Sequence, residues 1–432
     1  MNSPNSEILD VCIIGDGFAG LNAARILAKS NLKLEIYTAG YGASELWVGT
    51  FDFLNYQEKN LLDAFTSFKK DIPTHPYCFL TYQEIETSFN DFFSTFPEFH
   101  EFIDNGHYSN EPVLTLIGNF KPCIAIWRSI FKDFDKFTPE SRIILIDFYE
   151  FNNSAMDLVA KALNENYESD FKVLTLSFTQ VLRNWKIDVN SANIDNLSDF
   201  RIGNYFDKNL KDLEKFTEHI IIELQKQYPE IQKEQVKFLL FPPILGIKNN
   251  FQILEKLKNL LDIECNELVA FSPSLMSRRF MEVFDDILKN NSIKINKRFQ
   301  LSDLKINEDT EEKIWELSFR NAKNEIQIIK SKYVILAMGT LFQTGLFEEK
   351  QDFIKTFQNL GISVPNNLTE YFEIVYTKNE KRSNLFVCGA ASHSFIRSLD
   401  EDFEIIYGTG LGLAVSTSYK ISKHIIRHLK GN

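Results

Sequence analysis

One stretch near the start of the chain constrains the fold more than any other, residues 11–20 with the sequence VCIIGDGFAG. Residues 11–14 form a continuous apolar run, which is typical of a strand buried on both faces, and residues 21–29 have the pattern of a helix. Gly15, Gly17 and Gly20 lie in the turn between them. Glycine permits a tight turn at Gly15, leaves room for a diphosphate at Gly17 and lets the helix approach the strand at Gly20.

This order of strand, glycines and helix predicts a nucleotide-binding turn. The unpaired amides at the start of the helix face an anion, so we expect phosphate contacts from the six residues of the turn: Gly15, Asp16, Gly17, Phe18, Ala19 and Gly20. Spaced glycines also occur in ordinary βα turns, but the flanking strand and helix favour the nucleotide site. Asp16 is unusual there, because its carboxylate weakens phosphate binding unless it points away or caps the helix.

Charge and cysteine content exclude several classes of function. The net charge of −12 argues against a nucleic-acid partner, which needs clustered lysine and arginine. The first ten residues lack the pattern of a secretory signal, and no apolar run approaches the roughly 20 residues of a membrane helix. We therefore expect a cytoplasmic chain whose membrane contact, if any, is peripheral. The five cysteines have no CxxC spacing and the seven histidines no ligand spacing, so neither an iron–sulfur cluster nor another metal site is expected.

The order of predicted elements indicates an α/β fold of two domains. From residue 141 the chain reads as two strand–helix–strand units that interrupt the first domain. We predict a Rossmann-like FAD/NAD(P)-binding domain from residues 1–111 and 274–432, with an inserted α/β domain at 112–273. Residues 79–107, which are rich in phenylalanine, are expected to form an amphipathic helix.

Further cofactor contacts are expected where other segments reach the same edge of the sheet. A carboxylate that holds the ribose commonly ends the second strand, but this chain has Thr38 there and Glu35 lies too early. Two later strands end in glycine, and the last helix begins in a glycine-rich stretch with Gly408, Gly410 and Gly412, as in flavoproteins with two dinucleotide folds. The expected contacts beyond the turn are Thr38, Ala39, Ser44, Gly49, Gly339, Gly389, Ala390, Gly410 and Leu411.

Several short segments, in their order and spacing, together resemble one family over nearly the whole chain. They are VCIIGDGFAGLNAARIL, GASELWVGTFDFLNY, THPY, LTLIGNFKPCIAIW, RIILIDF, NLSDFRIGNYFD, SPSLMSRRF, YVILAMGTLFQTGLF, NLFVCGAAS and GTGLGLAVSTS. The chain resembles the B-type subunit of the anaerobic glycerol-3-phosphate dehydrogenase family. The resemblance implies a flavin subunit of a cytoplasmic-side complex that oxidises sn-glycerol 3-phosphate to dihydroxyacetone phosphate and passes electrons toward quinone. It also implies partner subunits that carry the main catalytic flavin and the iron–sulfur clusters.

Some positions depart from the family pattern. The family's Gly-Gly-Phe-Asp stretch is replaced by SHSFIRSL at residues 392–399, and Ala390 stands where many flavoproteins have an acidic residue for the ribityl chain. The cofactor is expected to be FAD, which suits the glycine turn, with FMN, commonly described for the family, as the alternative. Two other functions stay open: a subunit that holds flavin for electron transfer or assembly without turnover of its own, and a divergent flavoprotein with another substrate.

Oxidation of a phosphorylated alcohol requires a cation that binds the phosphate and a base that takes the hydroxyl proton. Arginine matches phosphate oxygens, and the candidates are Arg201, Arg278 and Arg279, with Lys121 and Arg128 behind them; the alternative for each is an ordinary salt bridge. His393 and His75 lie near the glycine-rich segments and are the candidates for the base that takes the hydroxyl proton.

Overall fold

The computed structural model describes residues 8–54, 60–188, 197–269, 271–307, 313–339, 368–375, 382–396 and 410–431. The helices are α1 (Phe18–Ala28), α2 (Leu61–Asp71), α3 (Tyr82–Phe93), α4 (Met156–Asn166), α5 (Phe178–Asn184), α6 (Asp199–Lys208), α7 (Leu213–Gln227), α8 (Asn250–Leu261), α9 (Leu275–Asn290), α10 (His393–Ile396) and α11 (Gly410–Leu429). The strands are β1 (Leu9–Ile14), β2 (Leu34–Thr38), β3 (Thr50–Phe51), β4 (Phe99–Glu101), β5 (Ile103–Asp104), β6 (His107–Tyr108), β7 (Glu111–Leu114), β8 (Phe120–Cys123), β9 (Ala125–Trp127), β10 (Arg142–Phe148), β11 (Asp170–Leu176), β12 (Val236–Phe241), β13 (Glu264–Glu267), β14 (Lys294–Lys297), β15 (Phe299–Asn307), β16 (Ile314–Asn321), β17 (Ile326–Leu336), β18 (Glu373–Val375) and β19 (Arg382–Val387).

The main sheet has β1 at its centre. Parallel pairing runs in the order β14, β2, β1, β17, β19, and β15 and β16 form an antiparallel extension on the first half of β17. The order, with the first strand central and a crossover on each side, is that of a Rossmann-like sheet. The predicted fold class is therefore confirmed.

Both faces of this sheet are covered, which explains its sequence: α1, α9 and α11 pack on one face, and side chains of β15 and β16 pack on the other. Val11, Cys12 and Ile13 on β1 are fully buried on alternating faces, so the strand reads as an uninterrupted apolar run. Helices α1 and α11 pack on each other through buried polar contacts as well as apolar ones: the Asn22 amide donates to Ser418 Oγ at 2.8 Å. These contacts place the first turns of both helices near the carboxyl ends of the central strands.

A second, fully parallel sheet has the order β11, β10, β12, β13. It lies within residues 142–267, inside the range predicted for an inserted domain, and has its own core, which includes Ile144, Leu174 and Leu239. Strand β9 also lies within the predicted range 112–273, but it pairs with β3 and β4, which belong to the predicted first domain. The boundaries at 111/112 and 273/274 stay a prediction.

The helix expected over residues 79–107 is wrong. Helix α3 ends at Phe93, and the chain then forms the short strands β4, β5 and β6. Pro97 disfavours a helical conformation at the residue before it, and Asn105 and Gly106 both have positive φ in the turn between β5 and β6. Within the described part of the chain, no helix is both long enough and apolar enough to cross a membrane.

Candidate functional site

The glycine turn between β1 and α1 is closely packed. Gly15 has φ +109°, and a Cβ there would lie 2.3 Å from the carbonyl oxygen of Ala337 at the end of β17. A Cβ on Gly20 would lie 2.0 Å from the oxygen of Gly15. Gly17 is the N-cap of α1 and offers no side-chain acceptor to the first amides of the helix. The first amides of α1 therefore have no side-chain cap from Gly17, and an anionic ligand at these amides stays the prediction from the sequence.

A cavity of about 780 Å³ opens beside this turn. Its volume is in the range typical of cofactor and small-molecule sites, roughly 300–1,000 Å³. The wall is formed by the glycine turn, the ends of β2, β17 and β19, the start of β15, the start of α11 and residues between 39 and 52. Twelve of the predicted cofactor contacts lie in this wall: Gly15, Asp16, Gly17, Phe18, Ala19, Thr38, Ala39, Gly339, Gly389, Ala390, Gly410 and Leu411.

Three predicted contacts do not line the cavity. Gly20 lies behind the turn and permits the packing of α1, as described above. Ser44 is buried and its hydroxyl donates to the backbone oxygen of Asp16 at 3.2 Å. Gly49 has φ +104°, and a Cβ there would lie 2.7 Å from Ile130 Cδ1. These three residues therefore lie in a second layer, where they pack against neighbouring segments and do not face the cavity.

Asp16 turns its carboxylate toward the end of β2. The Thr38 hydroxyl lies 2.9 Å from Asp16 Oδ1 and 3.0 Å from the oxygen of Gly40, so its one proton is shared between two acceptors. Asp16 is only 4% exposed, and burial raises the pKa of its carboxyl above the ordinary value, opposed by the Thr38 hydrogen bond and the positive charge of Lys297. The carboxylate thus points toward β2, which answers the question raised by its place among the glycines.

Asp52 is a polar residue of the wall that the sequence pattern did not single out. The Lys121 ammonium donates to Thr50 Oγ1 at 2.8 Å and to Asp52 Oδ2 at 2.9 Å, and both acceptors line the cavity. The other carboxylate oxygen of Asp52 is buried and accepts no hydrogen bond from the described residues. The Asp52 backbone oxygen accepts from the amide of Gly412, so this group adjoins the first turn of α11. The one available signal was the placement of Asp52 in the stretch of small and aromatic residues after β2.

The predicted arginines are not brought to the cavity. Arg279 is buried and its guanidinium is paired with both oxygens of Glu267 at 2.6 and 2.9 Å, while its Nε donates to the oxygen of Gly246. Arg278 is exposed and lies over the ring of Phe200 at 5.6 Å. Arg201 lies on α6, beside that same ring in sequence and away from the cavity wall. Arg279 therefore forms an ordinary salt bridge, which is the alternative given for each arginine.

The two candidate histidines lie together. The ring centroids of His75 and His393 are 4.6 Å apart with an edge-to-face arrangement. His75 is fully buried and its Nδ1 accepts from the amide of Tyr77 at 3.1 Å, whereas His393 is partly exposed and follows the turn that holds Gly389 and Ala390. Neither histidine lines the cavity, nor does the adjoining Tyr77, whose hydroxyl would lie 2.6 Å from a Cβ on Gly412 in the first turn of α11.

Part of the predicted site lies outside the described residues. This applies to Gly408 and to residues 397–399 of the SHSFIRSL segment. Among the described residues, no group of three or more histidine, cysteine or acidic side chains is placed to hold a metal ion.

Comparison with known proteins finds no family model that matches the sequence. The chain is similar to the B-type subunit of anaerobic glycerol-3-phosphate dehydrogenase from Aliivibrio fischeri, with 21% identity over 463 aligned positions that cover 98% of this chain and 96% of that protein. A protein of the same name from Haemophilus influenzae is 24% identical over 368 positions, which cover 79% and 77% of the two chains. Identity at this level supports the family only weakly.

Solved structures give a weaker likeness. A 3-ketosteroid-delta4-(5alpha)-dehydrogenase from Rhodococcus jostii has 7% identity and a TM-score of 0.38, with 98% of each chain covered. A flavoprotein/dehydrogenase from Cytophaga hutchinsonii has 9% identity and a TM-score of 0.34, with 99% of this chain and 80% of that chain covered. Both TM-scores are below 0.5, and the Rossmann-like sheet is assigned from its strand order.

Proposed function

We propose that this chain is a flavin-dependent oxidoreductase that binds FAD in the cavity beside the glycine turn. The observation that carries the proposal is the composition of one wall: the uncapped start of α1, the end of β2, two glycine-ended strands and the start of α11 line a single cavity of about 780 Å³. The sequence indicates these segments on separate grounds: spaced glycines before a helix, the end of the second strand, apolar runs that stop at a glycine, and a glycine-rich start of the last helix. FMN, which lacks the adenosine half, is the alternative cofactor.

The residues present fit such a group. Gly17 leaves the first amides of α1 open to phosphate, and a Cβ on Gly410 would meet nothing within 4 Å, which leaves space at the start of α11. The turn residues Gly15 to Ala19 would hold the diphosphate, and Gly389, Ala390, Gly410 and Leu411 would hold the remainder of the flavin. A flavin bound here would accept the hydride that leaves the carbon bearing the hydroxyl group.

The substrate we propose is sn-glycerol 3-phosphate, oxidised to dihydroxyacetone phosphate, with electrons passed toward quinone. The support is the named relatives over 98% of the chain, together with Lys121, which contacts two residues of the wall. We assign the substrate phosphate to Lys121, because its partners Thr50 and Asp52 line the cavity. The earlier candidates, Arg201, Arg278 and Arg279, do not line it. Partner subunits with a second flavin and iron–sulfur clusters, and a cytoplasmic place at the inner face of the membrane, belong to the same proposal.

The base in this proposal is His393, with His75 as the residue that positions it. His393 is partly exposed and so is able to exchange a proton with water, whereas His75 is fully buried against the rings of Phe68 and Tyr77. In this reaction the hydroxyl proton would pass to the base and a bound flavin would accept the hydride, so the oxidation of the alcohol balances against reduction of the flavin. His393→Gln is expected to lower the reduction rate about 100-fold while leaving flavin affinity unchanged.

The test is anaerobic reduction of the purified chain after loading with FAD. Loss of the visible flavin band on addition of sn-glycerol 3-phosphate supports the proposal, and a chain that binds neither FAD nor FMN overturns it. Reduction that occurs only after partner subunits are added supports the alternative, a flavin-holding electron-transfer or assembly subunit. That alternative is favoured by one observation: in the described part of the wall there is no arginine, lysine or histidine.

A further inference from the structure

The Asp16 carboxylate lies at the end of β2, where a residue of the second strand usually provides the carboxylate. In Rossmann-like domains the acidic residue that holds the adenosine ribose ends the second strand. In this chain that position is Thr38, and its hydroxyl lies 2.9 Å from Asp16 Oδ1. Asp16 and Thr38 both line the cavity, although both are at least 95% buried. A carboxylate therefore stands at the end of β2 even though β2 itself does not supply it.

The acidic side chain of β2 is engaged elsewhere. Glu35 Oε2 accepts from the Tyr37 hydroxyl at 2.8 Å and from the Asn296 amide at 2.8 Å, and Glu35 does not line the cavity. Asp16, by contrast, lines the cavity, whose wall also contains Phe299 and Gln300 from the start of β15. An ionised carboxylate has two oxygens that accept hydrogen bonds only, so the bond from Thr38 leaves capacity for a diol.

We propose that Asp16, positioned by Thr38, accepts hydrogen bonds from the ribose hydroxyls of the adenosine half of FAD, and that this contact makes the chain select FAD over FMN. The inference rests on the proposed flavin site and adds to it the group that distinguishes the two flavins. It also explains how an acidic residue is tolerated among the glycines: the carboxylate turns toward a neutral diol, away from the phosphates.

The experiment is equilibrium binding to flavin-free protein, with FAD and FMN titrated separately and flavin fluorescence as the readout. Asp16→Asn is expected to weaken FAD binding about tenfold or more and FMN binding less than twofold. The reason is that only FAD has the ribose whose hydroxyls would donate to the charged carboxylate. Asp10→Asn is the matched control: Asp10 lies on β1 and accepts from the amide of Lys33 at 3.0 Å, away from the cavity, so both affinities are expected to stay unchanged.

A second variant keeps the test decisive if Asp16→Asn folds poorly. Thr38→Val removes the hydroxyl that holds Asp16 and keeps the shape of the side chain, so it is expected to weaken FAD severalfold and leave FMN unchanged. Equal losses for FAD and FMN, or no loss for FAD, overturn the role of Asp16. Failure of the unmodified chain to bind either flavin overturns the proposed function instead, so the two failures are distinguishable.

Discussion

Replacement of Arg279 by methionine tests whether this residue belongs to a substrate site or to the contact between the second sheet and α9. Arg279 is 1% exposed and pairs with Glu267, which is fully buried at the end of β13. Arg279→Met leaves the Glu267 carboxylate buried with the amide of Leu245 and the side chain of Asn250 as its remaining donors. Breaking a buried pair in this way costs about 3–5 kcal/mol of the free energy of unfolding. Urea unfolding, followed by tryptophan fluorescence, measures that loss.

A double-mutant cycle separates the two roles. Glu267→Gln is expected to destabilise the chain by a similar amount, because it leaves the Arg279 guanidinium buried without its carboxylate. The double variant, Glu267→Gln with Arg279→Met, buries no charge, so its loss is expected to be smaller than the sum of the two single losses by about 2 kcal/mol. Additive losses refute the ion pair. A stability change below about 1 kcal/mol in Arg279→Met, combined with a raised KM for a phosphorylated substrate, would restore Arg279 to the substrate site.

Three further predictions concern the cavity. Gly15→Ala is expected to destabilise the chain by about 2 kcal/mol or more and to abolish flavin binding, because φ is +109° and the added Cβ meets the oxygen of Ala337; Gly40→Ala, which meets nothing within 4 Å, is the control for urea unfolding. Lys121→Met is expected to raise the KM for an anionic substrate about tenfold, whereas Lys132→Met, at a surface pair with Asp133, leaves it within twofold. The third uses pH: the raised pKa of Asp16 means that the folded chain binds its proton more tightly, so the stability of the chain relative to Asp16→Asn falls as pH rises above the ordinary value of 3.8. A gap in unfolding free energy between the two proteins that does not change from pH 4 to pH 7 contradicts the buried carboxylate.

The local parts of the site were predictable from the sequence. The glycine turn, the strand before it and the helix after it are neighbours in the chain, so apolar periodicity and glycine spacing identified them without knowledge of distant contacts. The ends of β17 and β19 were recognised for the same reason, since each is an apolar run that stops at a glycine. Parallel strands align their carboxyl ends, so these recognised segments converge on one edge of the sheet.

The parts that were missed depend on pairs far apart in sequence. Lys121 reaches Asp52 across 69 positions, and the Asn22 amide meets Ser418 across 396 positions. The sequence neighbourhood of Arg279 gives no sign of Glu267, which the second sheet brings to it, so the choice between a phosphate ligand and a salt bridge has no local signal. The direction of the Asp16 side chain likewise depends on Thr38, 22 positions later. No local pattern records such pairings, so a sequence indicates which segments meet at an edge of the sheet better than it indicates which side chains contact each other.

The charge of the cavity leads to one more conclusion about how it would hold an anionic cofactor. Its described wall contains two carboxylates, Asp16 and Asp52, and no lysine or arginine. Each carboxylate is occupied by its own partner, a hydroxyl for Asp16 and the Lys121 ammonium for Asp52. The positive potential that a diphosphate needs must then come from backbone amides, chiefly those at the start of α1, where a helix presents about half a unit charge. Under the proposed function, the backbone of the glycine turn would therefore supply the attraction to phosphate, and the Asp16 side chain would distinguish the two flavins.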